Sequence, residues 1–316
     1  MAKVSSPIIG IDIGFKTSKA VVFNKDKTGA SLLDYAETKT VDILNTISTL
    51  LKTLNCKPKI ACVTTSTNEG VVKIIEQPET EPIMLREAIR LNGLALINQD
   101  CKKFVVDCSV LKTITNDSNK KYAVSLMPRD LVAQYKEAFE HSRLNINSLM
   151  LAPLANLNAF ISQQSDEENF IIVDIGANNT NVVLSSRGDV LVRPIQFGGQ
   201  TALETIQETE AIDEETFIKS LHSDDEIVES VYKILTPLWS QTAKTLNYIE
   251  TICEKHVDRI FFTGGLGCSE KLLNVLTEHF KRSCRPLSFA SVSKPEFEVI
   301  SPKYSNAIGS IAHLLV

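Results

Sequence analysis

The sequence predicts an α/β protein of two similar lobes, the first of which carries an inserted α+β subdomain. Three observations point to it. Ile8 to Phe23 reads IIGIDIGFKTSKAVVF, and Phe170 to Leu184 reads FIIVDIGANNTNVVL: each is an apolar strand, an Asp-Ile-Gly turn, a short polar loop and a second apolar strand. The two aspartates, Asp12 and Asp174, stand 174 − 12 = 162 residues apart, about half of the 316-residue chain, which is the spacing of a duplicated lobe. Arg259 to Gly267 then reads RIFFTGGLG, a third apolar strand that ends in a glycine turn and precedes the helical pattern SEKLLNVLTEHFKR.

Such a hairpin is suited to phosphate. Glycine lets backbone N–H groups approach an anion closely, and the neighbouring aspartate can hold a metal ion, usually through water, beside the phosphates. The glycine turn at Gly264-Gly265 lets a purine lie flat against the backbone. Asn306-Ala307-Ile308-Gly309-Ser310 is a small-residue start to a final helix.

The elements follow in order. Residues 1–67 form the first-lobe core: the hairpin, a helix over about Thr40 to Leu54 with Val41, Leu44, Ile47, Leu50, Leu51 and Leu54 at helical spacing, and the strand KIACVTT. Residues 68–147 form the insert. It holds the helix MLREAIRLNGLALI, the strands KFVVDCSVL and KYAVSLMP around a turn at Asn116 to Asn119, and the helix RDLVAQYKEAFEHSR. Residues 148–168 return to the first lobe through SLMLAPLANLNAFIS. Residues 169–290 form the second lobe, with a turn at Arg187-Gly188-Asp189, a helix from about Thr201, and a long helix from Asp225 to Cys253. Asp224 and Ser223 are N-cap types for that helix, and Pro237 breaks or kinks it. Trp239 reads as core. Residues 291–316 dock back on the first lobe.

Composition excludes several classes. Hydrophobic residues make up 43% and charged residues 22%, ordinary for a globular protein. A net charge of −5 argues against nucleic acid or an anionic membrane surface as the main partner. No apolar run approaches the roughly 18 residues of a membrane span, so direct membrane insertion is not expected. The N-terminal MAKVSSPIIG lacks the apolar core of a signal peptide, so the expected location is cytoplasmic. The seven cysteines are odd in number and form no C-x-x-C, and the five histidines are scattered, so neither a disulfide framework nor a zinc site is expected.

The two hairpins, the glycine turn and the small-residue helix start, in this order, resemble the actin-like ATPase superfamily. Within it the chain is most similar to the PilM family of type IV pilus assembly proteins. Asp12-Ile13-Gly14 followed by Lys19-Ala20-Val21, the segment Arg193 to Gln200, Lys244-Thr245-Leu246-Asn247-Tyr248 and Val257-Asp258-Arg259-Ile260 carry the resemblance, which is weakest from about Thr65 to Lys121. It implies an actin-like fold with duplicated ribonuclease H-like cores and a cleft for ATP and Mg²⁺. Backbone N–H groups of Gly14, Phe15, Lys16 and Thr17, and of Gly176, Ala177, Asn178 and Asn179, would cradle the phosphates, with Thr17 and Lys19 as side-chain donors. Asp12 and Asp174 would hold Mg²⁺ through water. Gly264, Gly265 and Leu266 would back the adenosine, and Gln241 and Lys244 match positions that reach the ribose or base.

Two departures bear on activity. Phe15 stands where the family commonly has Ser or Thr and removes a phosphate donor. Ala152 stands where many superfamily members carry the acid that orients the attacking water, and alanine can do neither that nor accept a proton. The expectation is ATP binding with slow or absent hydrolysis, and no catalytic residue is assigned. The family resemblance further implies a scaffold of a pilus or type II secretion-like machine, held at the inner-membrane face by the short cytoplasmic tail of a PilN-like bitopic protein, with self-association left open. An FtsA-like division filament and a small-molecule kinase are the alternative readings. The first needs a C-terminal amphipathic anchor and the second a carboxylate base.

Overall fold

The computed structural model describes residues 7–26, 29–111, 119–163, 169–186, 189–254, 256–289 and 295–315. The first lobe opens with β1 (Ile8–Ile13), β2 (Thr17–Asp26) and β3 (Gly29–Lys39), then α1 (Ile43–Thr53) and β4 (Ile60–Thr65). The insert supplies β5 (Val71–Pro78), α2 (Pro82–Ile97), β6 (Phe104–Val110) and β7 (Asn119–Pro128). The chain returns through α3 (Arg129–His141), β8 (Asn145–Leu151) and α4 (Ala152–Gln163). The second lobe has β9 (Asn169–Ile175), β10 (Thr180–Ser186), β11 (Asp189–Ile195), α5 (Gly199–Gln207), α6 (Glu214–Ser223), α7 (Asp225–Ile234), α8 (Thr236–Cys253), β12 (Arg259–Gly264), α9 (Glu270–Phe280) and β13 (Ser283–Pro286). Short α10 (Pro295–Ile300) leads to α11 (Ser305–Leu315).

The two large sheets have one topology. The first runs β3-β2-β1-β4-β8 and the second β11-β10-β9-β12-β13. In both, the first three strands form an antiparallel meander and the last two are added in parallel. The registers also repeat. Asp12 lies opposite Lys19 and beside Thr64; Asp174 lies opposite Asn181 and beside Thr263. The half-chain repeat in the sequence is a repeat of strand order, direction and register.

Alternation along the strands decides which face meets what. Ile9, Ile11 and Ile13 point outward to α1 and α3, with Ile47, Leu50, Tyr135 and Phe139. Ile171, Val173 and Ile175 point the other way, to the helices of the second lobe, where Trp239 is fully buried and donates Nε1–H to the Tyr232 carbonyl at 3.0 Å. The intervening positions, Gly10 and Asp12 on β1 and Ile172 and Asp174 on β9, face the middle of the molecule. There α4 and α11 lie between the sheets, and Val21, Phe23, Phe160, Ile172, Phe261, Ile308 and Ile311 form one core drawn from both lobes. Each such apolar side chain contributes roughly 1.5–3 kcal/mol by leaving water. The helices fit only because their crossings are bare. A Cβ on Gly309 would overlap the Ala155 carbonyl, and one on Gly10 would overlap the Ala307 carbonyl.

The insert is a three-stranded sheet, β5-β7-β6, with α2 across it and its own core of Leu85, Ile89, Tyr122, Val124 and Leu126. It spans 71–128, narrower than the 68–147 of the sequence reading. The difference is α3 and β8. Tyr135, Ala138 and Phe139 of α3 join the first-lobe core, and β8 pairs with β4. The long helix breaks at Leu235, with Pro237 in the first turn of α8, and Asp224 caps α7 by accepting from the N–H groups of Glu226 and Ile227. Cys56, Cys62, Cys101, Cys108, Cys268 and Cys284 are free thiols. Residues 116–118 and 187–188 of the two expected turns, and the side chain of Cys253, lie outside the described residues.

Candidate functional site: the cleft between the lobes

A cavity of about 710 Å³ lies between the lobes. Of the residues expected at a nucleotide site, it brings together Asp12, Gly14, Phe15, Lys16, Thr17, Lys19, Asp174, Gly176, Ala177, Asn179, Gly264, Gly265 and Leu266. It does not include Asn178, Gln241 or Lys244. Asn178 and Lys244 are exposed, and α8 takes no part in the lining. The wall where α8 was expected is α6. Asp213, Glu214, Phe217, Ile218, Leu221 and His222 line the cavity there. Asp213 caps that helix, and the bond from Thr216 N–H holds its carboxyl below the usual range.

The two loops turn alike. A Cβ on Gly14 would come within 2.5 Å of the Thr17 carbonyl, and one on Gly176 within 2.8 Å of the Asn179 carbonyl. In each loop the glycine lets the chain fold back on the residue three positions later. At the third glycine turn the pair divides its labour. Gly264 sits at φ +85°, and a Cβ there would overlap the Ile175 carbonyl, whereas a Cβ on Gly265 would meet nothing within 4 Å. Gly264 makes the turn and Gly265 leaves the cavity open. Cys268 also lines the cavity, where burial pushes its thiol up to about 11.

At the floor stand the two aspartates, both almost fully buried. Burial raises the Asp12 carboxyl to about 6; Lys19 opposes the rise and Asp174 adds to it. Asp174 is likewise raised by burial, against hydrogen bonds from Asn156 and Asn306. Asn156, wholly buried on α4, donates Nδ2–H to Asp174 Oδ2 at 2.9 Å and accepts from the Ser305 hydroxyl at 2.7 Å. Asn306 on α11 donates to the same Asp174 oxygen at 3.2 Å. Ser305 is bonded in turn to Thr263, and Thr64 donates to the Asn306 carbonyl at 3.1 Å. Both central helices therefore hold Asp174 from beneath. Sequence reasoning placed Asn306 at a helix start without assigning it to the site, and missed Asn156, because a single amide in an apolar helix carries no signal of its own.

Two buried oxygens on this floor, Asp12 Oδ1 and Asn306 Oδ1, have no hydrogen-bond partner. An unpaired buried acceptor is costly. A carboxylate pair with spare lone pairs suits a hydrated cation better than another anion. Among the described residues no group of three or more His, Cys, Asp or Glu gathers as a metal cage. Two carboxylates completed by water and phosphate oxygens is the donor set that suits Mg²⁺.

Lys16 leaves its loop and crosses the cleft. Its ammonium donates to Gln200 Oε1 at 2.7 Å and pairs with Glu214 at 3.2 Å. Ala152 is buried at the start of α4, on a second cavity of about 470 Å³ that shares Ser66 and Asn179 with the first. Among the described residues no carboxylate lines that second cavity. Among the described residues no helix is long and apolar enough to cross a membrane.

The comparisons with known proteins agree on the fold. A chain of the solved PilM–PilN type IV pilus biogenesis complex superposes with a TM-score of 0.81 at 19% identity, covering 98% of both chains. A diol dehydratase-reactivating factor in nucleotide-free form gives 0.59 at 7% identity, over 98% of this chain and 99% of that one. The ethanolamine utilization protein EutJ from Carboxydothermus hydrogenoformans gives 0.56 at 14%, over 100% and 92%. These likenesses establish the actin-like ATPase fold. No curated protein matches the chain. The model of the type IV pilus assembly protein PilM family matches residues 10–294, nearly the whole chain. The chain belongs to the PilM family of type IV pilus assembly proteins.

Proposed function

We propose that this chain is a cytoplasmic ATP-binding scaffold of a type IV pilus or type II secretion-like machine, which grips the short cytoplasmic tail of a PilN-like inner-membrane protein. The observation that carries the nucleotide half is the pair of matched glycine loops facing each other over two buried aspartates, with Asp12 Oδ1 and Asn306 Oδ1 unpaired. Phosphates would lie on the loop N–H groups, Mg²⁺ beside Asp12 and Asp174, and the adenosine over Gly265 against α6. The bound ion would neutralise charge between the acids and the phosphates. Ala152, and the absence of a carboxylate around the second cavity among the described residues, favour a structural ligand over a phosphoryl donor, and disfavour a small-molecule kinase. The partner half rests on the family and on β8. This strand is the edge of the first-lobe sheet and runs beside β7 of the insert, so an extended tail could add to it by backbone pairing.

Thermal denaturation with and without Mg-ATP tests the first half. A ligand at a hundred times its Kd stabilises by about 2.7 kcal/mol, and Gly265→Val should remove that gain by filling the cavity while the protein stays folded. An equal shift in the variant would place nucleotide elsewhere. Phosphate release should fall far below the roughly 1–100 s⁻¹ of kinases. For the second half, a synthetic peptide of the partner's cytoplasmic tail should slow hydrogen exchange along β8 (Asn145–Leu151), within residues 68–147 and along Lys59 to Thr65. Protection confined to Thr201 to Cys253 would overturn the placement.

A further inference from the structure

Helix α6 runs along the cavity from the first phosphate loop to the third glycine turn. At its first turn Glu214 pairs with Lys16 of the loop at 3.2 Å. At its last turn the Leu221 carbonyl accepts from the Ser269 hydroxyl at 2.5 Å, just past the short turn Leu266–Cys268. Between these ends Glu214, Phe217, Ile218, Leu221 and His222 follow at spacings of three and four or their neighbours, and all line the cavity, so they form one stripe of the helix. The 222 − 214 = 8 steps from Glu214 to His222 span about 12 Å at the helical rise. The stripe begins on a carboxylate, passes over apolar side chains and ends on an imidazole. Ile218 is 48% exposed although it lines a cavity, and Val299 of α10, 70% exposed, lines the same one. Apolar side chains held at a cavity wall yet open to water suit a ligand with a flat apolar face.

Around α6 and the glycine turn, the hydrogen-bonding side chains that line the cavity are committed, among the described residues, with one exception. Gln200 accepts from Lys16 and donates to Glu204 at 2.8 Å. Asp213 caps α6, and Glu215 pairs with Lys219 at 2.7 Å. Lys303 pairs with Glu37, and the Cys268 thiol faces the Gly264 carbonyl at 3.8 Å. His222 has no hydrogen-bond or ion-pair partner among the described residues. The helix dipole would be served by a histidine on any face of the last turn; this one is on the cavity stripe, at the end nearest the glycine turn. We propose that His222 is the specificity-determining residue of this site and reads the edge of a purine base. The inference rests on the nucleotide reading of the cleft and deepens it. With phosphates on the loops, the base lies along Ile218 and its outer edge reaches the imidazole. A neutral imidazole carries one donor and one acceptor and can exchange them between its nitrogens. It therefore matches adenine, with an amino group beside ring nitrogens, and guanine, with a carbonyl in the amino group's place. A pyrimidine lacks the second ring and stops short. The ligand class is a purine nucleotide, adenine and guanine alike.

Equilibrium titration of the full chain with the Mg²⁺ complexes of ATP, GTP, CTP and UTP tests this, with inorganic tripolyphosphate as a probe of the loops alone. The wild type should bind ATP and GTP within about threefold of each other, and CTP and UTP about tenfold or more weakly. His222→Ala should weaken ATP and GTP about tenfold, as for one lost hydrogen bond, and leave CTP, UTP, tripolyphosphate and the melting temperature unchanged. His222→Gln, which keeps a donor and an acceptor, should recover part of the loss. A wild type without purine preference, or a preference that survives His222→Ala, overturns the proposal and leaves nucleotide in the cleft. Loss of tripolyphosphate binding in His222→Ala also overturns it, since the histidine would then support the loops and not the base. A wide gap between ATP and GTP overturns the shared purine class. A wild type that binds neither nucleotide nor tripolyphosphate overturns the nucleotide reading and this inference with it.

Discussion

At the scale of single residues, the site is defined by what small or buried groups leave undone. Gly264 and Gly265 are adjacent yet have opposite constraints. Gly264→Ala must hold an L-residue at φ +85° against the Ile175 carbonyl, so it should destabilise the fold by about 2 kcal/mol or more. Gly265→Val should leave stability intact and act only on ligand binding; similar melting losses for both would refute the assignment. Asp12 gives a second test. Its folded-state carboxyl is raised from 3.8 to about 6 by burial, so between those values the folded chain holds more protons than the unfolded one. Stability is then fully present below about 4 and falls as pH rises through 6, by on the order of 3 kcal/mol. In metal-free protein, Asp12→Asn should match the wild type at acid pH and become the more stable of the two above pH 6. Parallel pH profiles for the two proteins would show that Asp12 is charged at no cost, and that the unpaired oxygen asks for no cation.

At the scale of elements, the strands that carry the hairpins were legible because their apolar runs end in Asp-Ile-Gly and recur, and α7 and α8 were legible as one periodic pattern broken at Pro237. Others were not, and three of them show why. β5 reads VVKIIEQP, without the alternation that marks a half-buried strand, and it lies at a sheet edge. β8 is short and polar along its first half, so its pairing with β4 is a tertiary fact. α6 was absorbed into the run between two better-marked helices, and with it went the true wall of the cavity. Gln241 and Lys244, expected at the ribose or base, lie two helices further on, on α8, outside the cavity lining. The element-scale prediction concerns Lys16, which ties the first loop to α5 and α6. Because these half-exposed contacts are worth roughly 1 kcal/mol at most, Lys16→Ala should barely change the melting temperature. It should still speed hydrogen exchange along α6, since the helix loses its tie to the opposite lobe; unchanged exchange there would show that the contact holds nothing closed.

At the scale of the whole molecule, the central core decides how the lobes behave. Phe160 stacks on Phe170 at 3.7 Å between ring centroids and meets Phe261 edge-on, so α4 is bound into the second lobe, while its partner helix α11 lies on β1 and β4 of the first. Each lobe has an outer core of its own, but the central core is drawn from both. Calorimetry should therefore show one cooperative unfolding transition for both lobes; two resolved transitions would mean that the lobes are stable apart. The bare crossing of α11 over β1 has a further consequence, for the order in which the protein can be made. Gly10 lies under Ala307, 307 − 10 = 297 residues along the chain. A ribosome-bound chain that has not yet exposed residue 306 lacks the amide beneath Asp174 and one whole side of its first sheet. Its earliest strands must wait, unfinished, until Ala307, 297 residues after Gly10, has been made. Contacts of that sequence separation close slowly, so the first lobe is the part of this chain that goes longest without its full set of contacts while translation runs.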